Sequence, residues 1–229
     1  MVRSSSPGVL DGDDYHWKIE VAKGCSLELV TQSYQRIFQM ECGAKQQVEV
    51  RLEEGSSCSY LPHPAVPHGG STFFSKNTIH LSDNCTLLWS EIITCGRKLT
   101  GEAFRFSSYH SITEIFLNHK LVVKENLLMR PSATNYLSIG HLEGYSHCAS
   151  LLFINEQTLI TDLIKKLRCH LLAVPEISYG VSALPVNGLI VRLLGHKGEQ
   201  LFDCINDLAA IITLHQSSIN TQNSISYAG

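Results

Sequence analysis

Glu91, Arg97 and Glu102 are the residues whose types and spacing most favour chemistry in this 229-residue sequence. Glu91 stands in the strongly apolar run WSEII at 89–93, where a buried carboxylate must be paired or protonated. Arg97 is its expected partner, because Gly96 permits a turn between them. Two interpretations stay open. Either an ion pair pins this turn, or the carboxylates of Glu91 and Glu102 line a polar interior path.

The segment 62–70 is a second candidate, since it combines three prolines with two histidines. His63 and His68 lie five residues apart, and imidazole nitrogens are common metal ligands. Pro62, Pro64 and Pro67 fix φ and remove backbone donors, which predicts an extended connector. Such a chain holds the two rings too far apart for one metal ion unless the turn at Pro67 folds it back. A weak metal pair and a rigid connector with surface histidines both remain open.

The recognised motifs of common enzymes are missing from the sequence. It contains no GxSxG, HExxH, GxGxxG or CxxC motif. The segment 96–102 has the spacing of a phosphate-binding loop, but Glu102 occupies the lysine position and Ala103 follows. We therefore expect no nucleotide at this segment and no cofactor that is bound stably.

Charge and hydropathy exclude two classes of partner. A net charge of −3 with a pI of about 6.4 gives no electrostatic case for nucleic acid. No apolar run approaches the ~20 residues that a membrane-spanning helix needs. The sequence predicts neither a nucleic-acid nor a membrane partner.

The eight cysteines show no spacing typical of a disulfide-rich domain. Residues 1–10 contain one arginine and no apolar stretch, so we find no signal peptide. Together these features predict a cytoplasmic protein with reduced thiols and no disulfide bonds. Several cysteines stand at apolar positions of candidate strands, where Cys acts as a small hydrophobic residue.

Most of the chain has the period-two alternation of half-buried strands, arranged in three similar units. Each unit has an apolar strand residue, a turn residue and a cysteine soon after the turn. The matched sets are Ile19, Val48 and Ile79, then Gly24, Gly55 and Asn84, then Cys25, Cys58 and Cys85. A repeat of this length without helices favours the stacked coils of a β-solenoid, while a β-sandwich of ordinary hairpins is the equally supported alternative.

Three further features complete the predicted architecture. Asn118 and His119 separate two apolar runs, which predicts a tight hairpin turn. Apolar stripes predict helices over 156–168, capped by Asn155, and over 199–215, and we expect both to pack through Leu163 and Leu208. Residues 1–215 are expected to form a single domain, followed by a disordered tail at 216–229.

The order of several motifs resembles the urease accessory protein UreD family, called UreH in some organisms. The resemblance covers nearly the whole chain and includes a Ser-Pro-Gly opening, a Thr-Gln strand, the proline-rich segment, a Gly-Arg and Gly-Glu loop, and a late motif before the last helix. The matching residues are Pro7, Gly8, Asp13, Thr31, Gln32, Pro62, Pro64, Pro67, Gly69, Gly96, Arg97, Gly101, Phe104, Ser182 and Arg192.

The resemblance implies a mainly β fold, a right-handed β-helix with two packing helices, whose N-terminal coil is incomplete in this chain. It also implies a non-enzymatic role in urease maturation within a heteromeric complex. Members of the family bind apo-urease and act with UreF and the GTPase UreG to insert nickel, which is thought to cross an internal polar passage. Two alternatives remain: a β-helical carbohydrate-active enzyme and a β-rich interaction module that never touches metal.

Overall fold

Two packed β-sheets and two helices form the protein. The computed structural model describes residues 6–226, with side chains as far as Ser217. The strands within this range are β1 Asp14–Val21, β2 Ser26–Val30, β3 Gln35–Ile37, β4 Ala44–Leu52, β5 Ser57–Leu61, β6 Ala65–Pro67, β7 Thr72–Leu81, β8 Thr86–Ile93, β9 Ser108–Leu117, β10 Lys120–Met129, β11 His147–Asn155, β12 Ser178–Ala183 and β13 Gly188–Gly195. The helices are α1 Ile160–Leu172 and α2 Gly198–Ser226.

Successive units of the chain stack as parallel strands. In the first sheet β1, β4, β7 and β9 are parallel neighbours, and β10 closes the sheet antiparallel to β9. In the second sheet β2, β5 and β8 are parallel, and β11, β13 and β12 follow in antiparallel order. The mainly β class is therefore confirmed, and both sheets are mixed.

The turn positions of the repeat are confirmed, but two of its alignments are wrong. Gly24, Gly55 and Asn84 all have positive φ, at 69°, 69° and 58°. Ile19 pairs with Val50 rather than Val48, and Val50 pairs with Ile79.

The cysteine alignment is displaced in the same way. Cys58 pairs with Leu27 and Leu87, while Ser56 lies level with Cys25 and Cys85. A shift of two residues keeps every side chain on the same face, so alternation alone cannot detect it. All eight cysteines are free thiols.

The predicted hairpin turn is confirmed. Asn118 and His119 have φ of 49° and 66° and join β9 to β10 directly. Positive φ at both central residues is what a two-residue hairpin of the common type requires.

Both helices exist, but their bounds differ from the prediction. Helix α1 begins at Ile160, and Asn155 does not cap it. The Asn155 side chain instead accepts hydrogen bonds from the Gln157 N–H and the Thr158 hydroxyl in a turn before the helix. Helix α2 continues to Ser226, so it includes residues 216–226 of the tail predicted to be disordered. Residues 227–229 of that tail lie outside the described range.

The two helices cover one face of the second sheet. Leu163 and Leu208 are fully buried there, as predicted, in one apolar cluster with Leu151, Phe153 and Val191 from the strands. Within residues 6–226, no helix is long and apolar enough to cross a membrane.

Candidate functional site

A band of polar side chains divides the core between the two sheets. On one side of it lies an apolar cluster that includes Val50 and Trp89, and on the other a cluster that includes Phe73 and Ile93. We call this band the polar layer. Its members are Gln35, Gln46, Ser75, Asn77, Glu91, Ser111, Thr113, Glu125 and Arg192, of which Ser75, Asn77, Ser111 and Thr113 are buried.

The carboxylate of Glu91 is the centre of the polar layer. It projects from β8 and accepts hydrogen bonds from the first sheet: from Asn77 Nδ2 at 2.8 Å, from Ser111 Oγ at 2.7 Å and from the hydroxyl of Thr113. The indole N–H of Trp89 donates a longer bond at 3.4 Å. Asn77 also donates to Thr113 Oγ1 at 2.9 Å, so the donors themselves form one network.

Only neutral groups solvate this carboxylate in the described part of the chain, where no Lys, Arg or His forms an ion pair with Glu91. Its charge acts on its surroundings. Burial, followed by the charge of Glu91, raises the pKa of Tyr60 to about 12 and that of Cys148 to about 12. The same two causes raise the pKa of Tyr109 well above its ordinary value. In residues 6–226 the carboxyl group of Glu91 therefore has hydrogen-bond donors but no ion-pair partner.

Hydrogen bonds across the sheets extend the polar layer in both directions. At one end of the layer, Gln35 Nε2 on β3 donates to Gln46 Oε1 on β4 at 3.2 Å. On the other side, Arg192 on β13 reaches both carboxylate oxygens of Glu125 on β10, at 2.7 and 2.8 Å.

The strand register aligns the contact between Glu125 and Arg192 with Glu91. Glu91 and Arg192 are both partners of Ser150 in the second sheet, and Asn77 and Glu125 are both partners of Thr113 in the first. Asn77, Thr113 and Glu125 thus form one row in the first sheet, opposite Glu91, Ser150 and Arg192 in the second. Gln46 belongs to the neighbouring inward row, where it pairs with Ser75.

The expected pairing of Glu91 with Arg97 is wrong. Arg97 Nε donates to Glu102 Oε2 at 2.9 Å, and a second guanidinium nitrogen contacts Glu102 Oε1. Gly69 N–H donates to the same carboxylate at 3.1 Å. The hydrogen bonds from Arg97 and from Gly69 N–H lower the pKa of Glu102 and so stabilise its ionised form. Glu102 thus lies in a surface turn, and no described contact joins it to Glu91.

Two motifs of the sequence meet at this turn. Gly96 has a φ of 105°, and a Cβ there would stand 2.6 Å from Glu102 O and 2.8 Å from Pro67 O. Only glycine allows the loop to lie this close to the proline-rich segment. Gly101 ends a short 3₁₀ turn in left-handed conformation, and Phe104 packs beside Tyr136.

Both histidines of the proline-rich segment pack against aromatic side chains. His63 Nδ1 lies 3.0 Å from Thr31 Oγ1, and its ring stacks on Phe202 at 4.1 Å. The buried His68 meets Phe38 edge to face at 4.8 Å. Burial and the charge of Arg97 lower the pKa of His68. Nowhere in residues 6–226 do three or more His, Cys, Asp or Glu side chains converge as a metal site.

The other motif residues lie at turns and close approaches. A Cβ on Gly8 would stand 2.3 Å from Arg36 O, because residues 8 and 9 run against β3. Asp13 accepts bonds from Leu10 N and from the Tyr15 hydroxyl, both at 2.7 Å. Gln32 and Ser182 are exposed.

Sequence reasoning missed Asn77, Ser111, Thr113 and Glu125. A signal for three of them is present: β7 places Ser75 and Asn77 in phase with Ile79, and β9 places Ser111 and Thr113 in phase with Ile115. Polar residues at the inward positions of alternating strands indicate a polar interior.

Comparison with known proteins now decides the family. A family model described as UreD urease accessory protein matches residues 1–224. The chain belongs to the UreD family. It is 42% identical over 228 residues to the urease accessory protein UreD of Flavobacterium johnsoniae, covering 98% of this chain and 82% of that protein.

Two further UreD proteins are similar over most of their length. The urease accessory protein UreD of Acetivibrio thermocellus is 36% identical over 202 residues, which cover 88% of this chain and 77% of that protein. The urease accessory protein UreD of Haemophilus influenzae is 34% identical over 211 residues, which cover 88% of this chain and 78% of that protein. The family is one of urease accessory proteins, so the protein has a non-catalytic, chaperone-type role in urease maturation.

Proposed function

We propose that this protein binds apo-urease in the cytoplasm and, in a heteromeric complex with UreF and the GTPase UreG, supports GTP-dependent insertion of nickel. In this proposal it is both a scaffold and a conduit, and nickel is cargo in transit rather than a resident cofactor. Membership of the urease accessory family supports the scaffold role. The polar layer supports the conduit.

The carboxylate of Glu91, held among neutral donors only, is the observation that carries the conduit proposal. A half-buried carboxylate is costly to keep without a cation, and an apolar side chain would extend the core instead. An ion that moves through protein needs oxygen or nitrogen ligands at intervals, each weak enough to release it. One carboxylate flanked by the hydroxyl oxygens of Ser111 and Thr113 has this character.

We also propose that the stacked units wind as a short right-handed β-helix. The parallel ladders from β1 through β4 to β7, and from β2 through β5 to β8, support this winding. In such a stack the polar layer lies inside the coils, so a passing ion is shielded from bulk water.

The test is to purify the accessory complex with Glu91→Gln or Glu102→Gln and to activate apo-urease at matched complex concentration. Glutamine keeps the shape of Glu91 but removes the charge that attracts a cation. We expect Glu91→Gln to leave the complex assembled while nickel content and urease activity fall together. Glu102 belongs to the surface turn and serves as the matched control, with normal activation expected.

Assembly and nickel content separate the alternatives. Loss of complex assembly with Glu91→Gln would assign this residue to folding or docking. Normal activation by both variants would overturn the conduit and leave an interaction module that never touches metal.

A further inference from the structure

Glu125 and Arg192 form an ion pair at an unusual place, between the two sheets where the polar layer reaches the surface. On β10 the inward-facing positions beside Glu125 are Val123 and Leu127, and on β13 those beside Arg192 are Ile190 and Leu194. Each strand therefore carries one charge in an otherwise apolar inward row, and the two charges are opposite in sign and level with each other.

The two partners differ in how firmly the protein holds them. The side chain of Glu125 is 28% exposed, whereas that of Arg192 is 64% exposed. Arg192 can leave the contact for solvent at little desolvation cost, but Glu125 remains partly enclosed on β10. A release of Arg192 would thus uncover a carboxylate aligned with Thr113, which is the hydrogen-bond partner of Glu91.

We propose that this pair is a charge latch at one mouth of the polar layer, in which Glu125 is a divalent-cation ligand and Arg192 masks it. The inference rests on the conduit proposed above. A cation that approaches the closed pair meets a guanidinium and is repelled. Once Arg192 swings out, the same cation meets a free carboxylate and a row of oxygen groups that leads inward.

A simple structural clamp makes a different prediction. Inward charges near sheet edges also hinder edge-to-edge aggregation, and an ion pair can tie two sheets together. In that case each partner matters only through the pair, so removal of either one has the same consequence. For a latch the two removals act in opposite directions.

The experiment measures the affinity of the full chain for Ni²⁺ alone, by equilibrium dialysis, in Arg192→Ala and Glu125→Gln. We expect Arg192→Ala to tighten binding by about three- to tenfold and Glu125→Gln to weaken it by a similar factor, since one charge near a partly exposed site contributes that order of free energy. Arg192→Gln is the second neutral variant and should behave like Arg192→Ala if the alanine variant folds poorly.

Glu49 and Arg51 supply the control, because they form an ion pair on the outer face of β4. Arg51→Ala and Glu49→Gln change the net charge by the same amounts, and we expect no change in Ni²⁺ affinity. The latch would be overturned if Arg192→Ala and Glu125→Gln shifted the Ni²⁺ affinity in the same direction, or if neither variant shifted it. Equal shifts in the control pair would overturn it as well. The proposed conduit is judged separately, since urease activation by Glu91→Gln does not enter this measurement.

Discussion

Strands β8, β11 and β13 present two faces with opposite chemistry. Toward the helices, Leu151, Phe153 and Val191 form a continuous apolar surface that α1 and α2 bury. Toward the other sheet, the row of Glu91, Ser150 and Arg192 interrupts the apolar packing. The same strands could have been apolar on both faces. Packing on the helices therefore explains the apolar face, whereas the polar layer needs another explanation, and the conduit proposed above is one.

Loss of a helix-face side chain should give the largest change in stability. Leu163 is fully buried between α1 and the sheet, and Leu163→Ala removes its contacts and leaves a cavity. We expect the free energy of unfolding to fall by about 2–5 kcal/mol in urea denaturation. Leu172→Ala, on the same helix but 75% exposed, is the control and should change it little. A small effect at Leu163 would mean that the helices are loosely attached.

We expect a fall in pH to lower the free energy of unfolding through His147. Burial, followed by the charges of Lys98 and His196, lowers the pKa of this histidine from 6.5 to about 4. The unfolded chain therefore binds the proton first, and stability is lost as the pH falls from about 6.5 toward 4, by at most about 3 kcal/mol. We expect His147→Gln to flatten the pH profile of the unfolding free energy in that window. An unchanged slope would show that other groups, such as His68, cause the acid sensitivity.

Loss of a donor in the polar layer should cost less than loss of core volume. Asn77 donates to both Glu91 and Thr113, so Asn77→Ala leaves a carboxylate oxygen short of a partner. We expect a loss of about 1–3 kcal/mol in unfolding free energy. Asn126→Ala, which removes only a bond to His110 on the exposed face, is the comparison and should have a smaller effect. If the two variants are equally stable, water already solvates Glu91.

The sequence predicted local features well and long-range pairings poorly. Positive φ at Gly24, Gly55 and Asn84 follows from residue type, and a carboxylate in the apolar run around Glu91 was visible from composition. Its partners were not, because Ser111 and Thr113 lie twenty or more positions away on the opposite sheet. Only the three-dimensional stacking determines which strands face each other, and nearness in sequence therefore indicates a wrong partner, Arg97.

The smallest effect should come from Glu102, the carboxylate that sequence spacing grouped with Glu91. Its bonds go to Arg97 and to Gly69 N–H in a surface turn, where solvent and salt screen the ion pair. We expect the urea midpoint of Glu102→Gln to stay close to that of the parent protein. Any small shift in this midpoint should decrease further at high salt. Because the Gly69 bond can be kept by the amide oxygen of glutamine, the loop geometry set by Gly96 should survive. A shift as large as that of Asn77→Ala, independent of salt, would mean that this turn supports the core as much as the polar layer does.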